Sequence, residues 1–262
     1  MGKVKTFSLR IKPLEQSPRK IYAYLPTGYE TSGLTYPVLY MFDGHNLFYD
    51  STATYGKCWG IKEYLDKNRI PLVVIGQDCN HTGDSRLLEY SPYPGKGNRW
   101  FPKAEVSGDF TARWFAEVLK PECEKRFRIY GDRAHVGIAG SSMGGLMSMY
   151  VISAYNRVYS KAACLSSAID VNFKALIRTV KESPMDPDTK IYMDFGSNEV
   201  RSKRSLSRAL DDMLEISHLY DEKGCSVYPR VIVDGEHSEA TWEKALPVFL
   251  KYLYPELFEA KH

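Results

Sequence analysis

A mostly parallel α/β sheet with helices on both faces is the fold class this sequence predicts, and three observations carry it. Short apolar runs alternate along the chain with longer stretches of helical period. Several runs, "PVLYMFDG" at 37–44 and "PLVVIGQD" at 71–78 among them, are apolar at consecutive positions, as strands buried on both faces must be. The length of 262 residues suits one such domain over 1–262.

The elements follow in order. "KTFSLRI" and "KIYAYLP" alternate apolar and polar residues and read as early strands. After the two continuous runs come four more: "HVGIAG" at 135–140, "KAACLSS" at 161–167, "KIYMDFG" at 190–196 and "YPRVIVDG" at 228–235. Between them lie helical patterns. "GIKEYLDKN" at 60–68 is short. "DFTARWFAEVLKPECEKRF" at 109–127 puts Phe110, Trp114, Phe115, Val118 and Leu119 on one stripe, with Asp109 as N-cap and Pro121 positioned to kink or divide it. "MGGLMSMYVISAYN", "SLSRALDDMLEISHLYDEKG" and "SEATWEKALPVFLKYLY" complete the set. The segment from Asn80 to Gly108 has little period, and loops of that length are typically functional or disordered.

Composition excludes several classes. A net charge of +3 is too mild to argue for nucleic acid, and the one dense basic run, "RSKR" at 201–204, reads as a solvated face. No apolar run approaches a membrane span. The opening "MGKVKTFSLRIKPLEQ" lacks the apolar stretch of a signal peptide. Five cysteines, with no Cys-x-x-Cys pair, fit reduced thiols, so the expected compartment is the cytoplasm.

The chemistry concentrates at "AGSSMGG", residues 139–145. Gly140-Ser141-Ser142-Met143-Gly144 is G-x-S-x-G, a pattern that arises by chance in about one chain in ten of this length and is weak alone. Its position gives it weight. It follows the apolar strand "HVGIA" and opens a helix rich in small residues, the strand-turn-helix context in which a serine is raised as a nucleophile. The register makes Ser142 the nucleophile and Ser141 a packing residue.

A serine hydroxyl needs a histidine base and a group that orients the base. With this turn the chain order is serine, carboxylate, histidine, each beyond the carboxyl end of a strand. His237 follows the strand "YPRVIVDGE" and precedes a helix, where the base belongs. His218 lies within a helix, His135 at the wrong end of the nucleophile strand, and His262 at the terminus. Glu199, just beyond the strand "KIYMDF", is the favoured acid; Asp194 within that strand and Asp234 before His237 remain alternatives. The oxyanion hole needs two backbone amides. Met143 supplies one, and His45 or Gly44 in "DGHNLF" the other. The aperiodic segment brings Tyr90, Tyr93, Trp100 and Phe101 toward the cleft as candidate stacking residues, with His81 as a further substrate contact. This chemistry requires no metal or cofactor.

On these pieces the chain resembles the putative-esterase family of α/β-hydrolases, which includes feruloyl, acetyl-xylan and siderophore trilactone esterases. The resemblance runs from about Lys20 to Tyr254 and rests on "YPVLYMFDGHNLF", "CWGIKEYLD", "RLLEYSPY", "LKPECEKRFRIYGDRAHVGIAGSSMGGLMSMY", "YMDFGSNE" and "GEHSEATWEKALPVFLKYL". It implies the α/β-hydrolase fold, with Ser142 as nucleophile, His237 as base and Glu199, last in a Gly-Ser/Thr-Asn-Asp/Glu segment, as acid. Many relatives carry glutamine where this chain has His45. The expected partner is a small-molecule or oligosaccharide ester, with homo-oligomerisation left open. The alternatives are a siderophore lactone esterase, in which Arg86 or Arg99 meets anionic ligand groups, an acyltransferase, and a non-catalytic carbohydrate binder.

Overall fold

The computed structural model describes residues 1–11, 18–94 and 105–259. Eight strands form one sheet: β1 (Lys3–Leu9), β2 (Arg19–Leu25), β3 (Val38–Met41), β4 (Val73–Gln77), β5 (Val136–Ser141), β6 (Lys161–Leu165), β7 (Lys190–Gly196) and β8 (Ser226–Ile232). Their order is β1-β2-β4-β3-β5-β6-β7-β8. The first two pairings, β1 with β2 and β2 with β4, are antiparallel, and the rest are parallel. This is the mostly parallel sheet that the alternating apolar runs predict, and the α/β-hydrolase fold that the family resemblance implies.

Nine helices accompany the sheet among the described residues: α1 (Tyr29–Ser32), α2 (Ile61–Asn68), α3 (Ser85–Glu89), α4 (Gly108–Trp114), α5 (Lys120–Arg126), α6 (Met143–Ala154), α7 (Phe173–Glu182), α8 (Lys203–Glu222) and α9 (Glu239–Leu253). Strand β3 shows why both faces are covered. Val38 and Tyr40 enter one core with Phe115, Leu146 and Ile216 from the layer of α4 to α8. Leu39 and Met41 enter the other with Ile61 and Leu65 of α2 and Phe249 and Leu250 of α9. A strand whose alternate side chains each meet a helix layer must be apolar at every position, which is the pattern in the sequence.

Two expectations are modified. The helix predicted over 109–127 is divided, with Phe115–Leu119 widened into a π-turn in which Lys120 N–H reaches Phe115 O. Pro121 has no N–H to return to the carbonyl four residues earlier, so the preceding turn relaxes to the wider bond. The segment after Asn80 is also less irregular than its lack of period suggests, since Ser85–Glu89 is helical.

All five cysteines are free and buried. No helix among the described residues is long and apolar enough to cross a membrane. Strands β3 to β8 all point the same way, so the segments after β3, β4, β5, β6, β7 and β8 emerge along one edge. That edge is where open parallel sheets place their sites.

Candidate active site

Strand β5 ends in a turn that only one arrangement permits. Ser142 has φ 57° and ψ −121°, a left-handed backbone that a side-chain-bearing residue rarely adopts. Just before it, a Cβ on Gly140 would lie 2.6 Å from the backbone carbonyl of Gly144, so α6 can fold back onto the strand only over glycine. Ser142 N–H donates to Leu165 O of β6 at 3.0 Å, and Ala168 N–H donates to Ser142 O at 3.1 Å, which pins the turn on both sides. Ser142 is half-buried and opens into a cleft, whereas Ser141 is 6% exposed as the last residue of β5. Met143 is the first helical residue, so its amide belongs to the set that an α-helix leaves without an internal partner.

The turn after β3 reaches the same cleft. Gly44 to Asn46 form a 3-10 turn, entered through Asp43 at φ 56°. The turn lies directly on β4, where a Cβ on Gly44 would stand 2.6 Å from the Gly76 carbonyl. Asp43 is held by Arg86, whose Nε and Nη2 donate to its two oxygens at 2.8 and 2.7 Å. These contacts fix the turn whose His45 lines the same cleft as Ser142.

His237 follows β8, and its Nδ1 lies 2.8 Å from Glu199 Oε2. The Glu199 side chain is 2% exposed and that of His237 44%. The other carboxylate oxygen accepts the Gly196 amide at 2.6 Å and the Ser166 hydroxyl at 2.7 Å. Ser166 Oγ in turn accepts Trp242 Nε1–H at 2.8 Å, and the Trp242 ring meets His237 edge to face, centroids 5.4 Å apart. The carboxylate therefore has one oxygen fixed by the protein and one facing the imidazole. With Nδ1–H donating to Glu199, His237 Nε2 is left with a free lone pair.

Neither alternative acid contacts His237. Asp194 is fully buried one layer below: its Oδ1 accepts the Ser166 amide at 3.1 Å and its Oδ2 the Tyr192 hydroxyl at 2.8 Å. It supports the Ser166 turn that holds Glu199. Asp234 is exposed at φ 57° in the loop after β8.

Burial raises the Asp194 carboxyl to about 7, with the nearby Glu199 charge adding to the rise and the bonds from Tyr192 and Ser166 opposing it. The ordinary aspartate value is about 3.9. A raised folded-state value means the folded protein binds this proton more tightly than the unfolded chain. The associated stability is complete below about pH 4 and is lost as pH rises to about 7. Asp194→Asn removes that dependence. In thermal melts from pH 4 to 8, the Tm of the variant is expected to gain on the parent between pH 4 and 7 and to run parallel above; parallel curves throughout would refute the assignment.

The cleft, about 360 Å3, is lined by Ser142, His237, Trp242, His45, Thr54 and His81, and also by Tyr55, Asn80, Arg86 and Glu239. A larger cavity of about 500 Å3 lies between α6 and α8, but neither Ser142 nor His237 lines it. The sequence reading placed Tyr90 and Tyr93 in the cleft, and the structure corrects this. Tyr90 is fully buried; its oxygen accepts the Asp43 amide at 3.2 Å, and its hydroxyl donates to Gln77 Oε1 at 2.8 Å. Tyr93 is 9% exposed and donates to Thr179 Oγ1 at 2.7 Å. Neither ring has a face free to stack on a ligand. Trp100, Phe101 and Arg99 lie outside the described residues. His81 does line the cleft, and Arg86 lines it with its guanidinium paired to Asp43.

Several cleft and support residues were not legible. Tyr55 is 82% exposed at the cleft, in a polar "STATYGK" run that signals a loop but not its location. Glu239, two residues after His237, is 5% exposed, and burial raises its carboxyl. Ser166 and Trp242 sit in segments whose pattern announces only a strand end and a helix.

With this geometry in view, the chain matches the family described as "Putative esterase" over residues 14–253. It is 27% identical over 218 residues to the protein YbbA of Bacillus subtilis (strain 168), covering 79% of each chain. Among solved structures it is similar to a ferulic acid esterase, at 20% identity, a TM-score of 0.70 and 97% coverage of both chains. It is also similar to an IroE-like serine hydrolase from Shewanella oneidensis, at 18% identity and a TM-score of 0.75, covering 99% of this chain and 82% of the other.

Proposed function

Because the chain belongs to the putative-esterase family of α/β-hydrolases, we propose that it is a serine carboxylesterase working through Ser142, His237 and Glu199. The observation that carries this reading is the 2.8 Å contact between His237 Nδ1 and a buried Glu199, beside a serine held at φ 57° in the same cleft. Ser142 Oγ attacks the ester carbonyl while His237 Nε2 takes its proton. The oxyanion is received by the amides of Met143 and of His45 or Gly44. His237 then gives its proton to the leaving alcohol, and water activated by the same nitrogen releases the acyl group. Glu199 keeps the imidazole in the required tautomer and stabilises its charged form.

The substrates this cleft favours are acetyl or feruloyl esters of carbohydrate, or small esters. Its walls carry hydroxyl, amide and imidazole groups from Thr54, Asn80 and His81, and one exposed aromatic ring, Tyr55. That lining suits a hydroxylated alcohol more than a long acyl chain. The siderophore reading asks Arg86 or Arg99 to meet an anionic ligand; Arg86 is already paired with Asp43 at two oxygens, and Arg99 lies outside the described residues.

A fluorophosphonate probe tests the nucleophile directly. One label per chain is expected, located on Ser142 by mass spectrometry; a label on Ser141 would shift the register by one residue and overturn the assignment. A panel of aryl acetate, methyl ferulate, acetylated xylo-oligosaccharide and catecholate trilactone then separates the substrate classes. Preferential cleavage of the trilactone would displace the carbohydrate-ester reading.

A further inference from the structure

Beside the serine, four side chains from two loops converge without a part in the ester chemistry. His45 comes from the turn after β3, and Asp78, Cys79 and His81 from the segment after β4. One donor atom of each lies within 4.8 Å of the other three. We propose that this cluster is a zinc site, in which two histidines, an aspartate and a cysteine clamp the turn carrying His45 to the loop after β4.

The donors select the ion. Imidazole, thiolate and carboxylate together make the mixed set that zinc takes in four-coordinate, tetrahedral form. Zinc bonds of about 2.0–2.3 Å at tetrahedral angles put donor atoms roughly 3.3–3.6 Å apart. His45 Nδ1 and His81 Nε2 stand 2.8 and 2.9 Å from the same oxygen, Asp78 Oδ1. Coordination therefore asks these three atoms to part by roughly half an ångström and the sulfur to close in. Loading displaces the Cys79 thiol proton to solvent.

A second observation points to a ligand. His45 Nδ1 is buried 2.8 Å from Asp78 Oδ1, with the pair out of line for a regular hydrogen bond. The other ring nitrogen, Nε2, lies 2.9 Å from Thr54 Oγ1. When Nε2–H donates to that hydroxyl, Nδ1 turns a lone pair toward a carboxylate oxygen, and either a proton or a metal ion must join them. Thr54 is then the outer partner that fixes the tautomer of a metal-bound histidine. His81, with 57% of its side chain exposed, leaves the cluster open to the cleft and gives an ion a route in.

Four protein ligands leave no open coordination position, so the ion is structural and no step of ester hydrolysis passes through it. The full chain, stripped with chelator, is titrated with cobalt(II) as a spectroscopic stand-in and then with zinc. One equivalent is expected to bind, with the intense visible bands of tetrahedral cobalt and a near-ultraviolet sulfur-to-cobalt band that Cys79→Ser removes. Thr54→Val is expected to weaken zinc binding by about 10–100-fold, and His81→Ala by at least as much. Melting temperatures of the metal-free variants, matched to the stripped parent, separate ligand loss from unfolding. Ser142→Ala is expected to load normally, which keeps the result independent of the esterase reading. The site is refuted if cobalt shows only weak octahedral bands, if the sulfur band survives Cys79→Ser, or if His81→Ala binds zinc as the parent does.

Discussion

Ser142→Ala is expected to leave a folded protein whose kcat for ester hydrolysis falls by about a millionfold, the scale on which removal of a triad nucleophile acts. The loss is confined to chemistry because the Ser142 side chain is not part of the core: the turn is fixed by its backbone bonds to Leu165 and Ala168, which alanine keeps. Substrate affinity, measured with a non-hydrolysable ester analogue, should change little. A companion variant isolates the strain. At φ 57° and ψ −121°, serine and alanine both hold a backbone that costs about 1–3 kcal/mol. Glycine relieves it while losing about 0.5–1 kcal/mol to its greater freedom in the unfolded chain. Ser142→Gly should therefore be more stable than Ser142→Ala by roughly 1 kcal/mol, a gain of about 2–4 °C in Tm. If Ser142→Ala retains more than a hundredth of the activity, or Ser141→Ala loses as much, the nucleophile is misassigned.

Glu199→Gln should lower kcat by about ten-thousandfold with little change in KM or fold. Glutamine is isosteric, and its carbonyl oxygen can still accept the bonds that Gly196 N–H and Ser166 Oγ–H now give to Oε1. Its amide NH2 group then faces His237 Nδ1 in place of the oxygen at 2.8 Å. A donor there requires Nδ1 to accept, so the ring proton moves to Nε2 and the base nitrogen is lost. The charge that stabilises the imidazolium is lost as well. Asp234→Asn, at an exposed position, should leave kcat within about twofold, since surface changes away from special contacts have small effects. Asp194→Asn should act through the Ser166 turn and cost less than Glu199→Gln. A larger loss from either aspartate variant, in folded protein, would move the acid away from Glu199.

The amino-acid sequence by itself determined the strands, the serine turn and the chain order of the candidate groups. These are properties of period and of small-residue spacing. A strand covered on both faces is apolar at every position, as 37–42 and 71–76 are. A turn as tight as the one at Ser142 excludes a side chain at Gly140, and both constraints act within a few residues. Only the tertiary structure decided which carboxylate meets His237. Asp194 lies within β7, whereas Glu199 and Asp234 lie beyond strand ends, where a side chain's direction is set by loop dihedrals that no period encodes. Asp194 turns inward under Ser166, Asp234 outward in a left-handed bend, and Glu199 to the imidazole. Burial in the aperiodic segment was equally hidden. Tyr90 and Tyr93 had the composition of a binding loop, yet their hydroxyls are bonded to Gln77 and Thr179 from other parts of the chain. The cluster of His45 with Asp78, Cys79 and His81 is a further case, because more than thirty residues separate His45 from the other three along the chain and only the parallel pairing of β3 with β4 brings the two loops together.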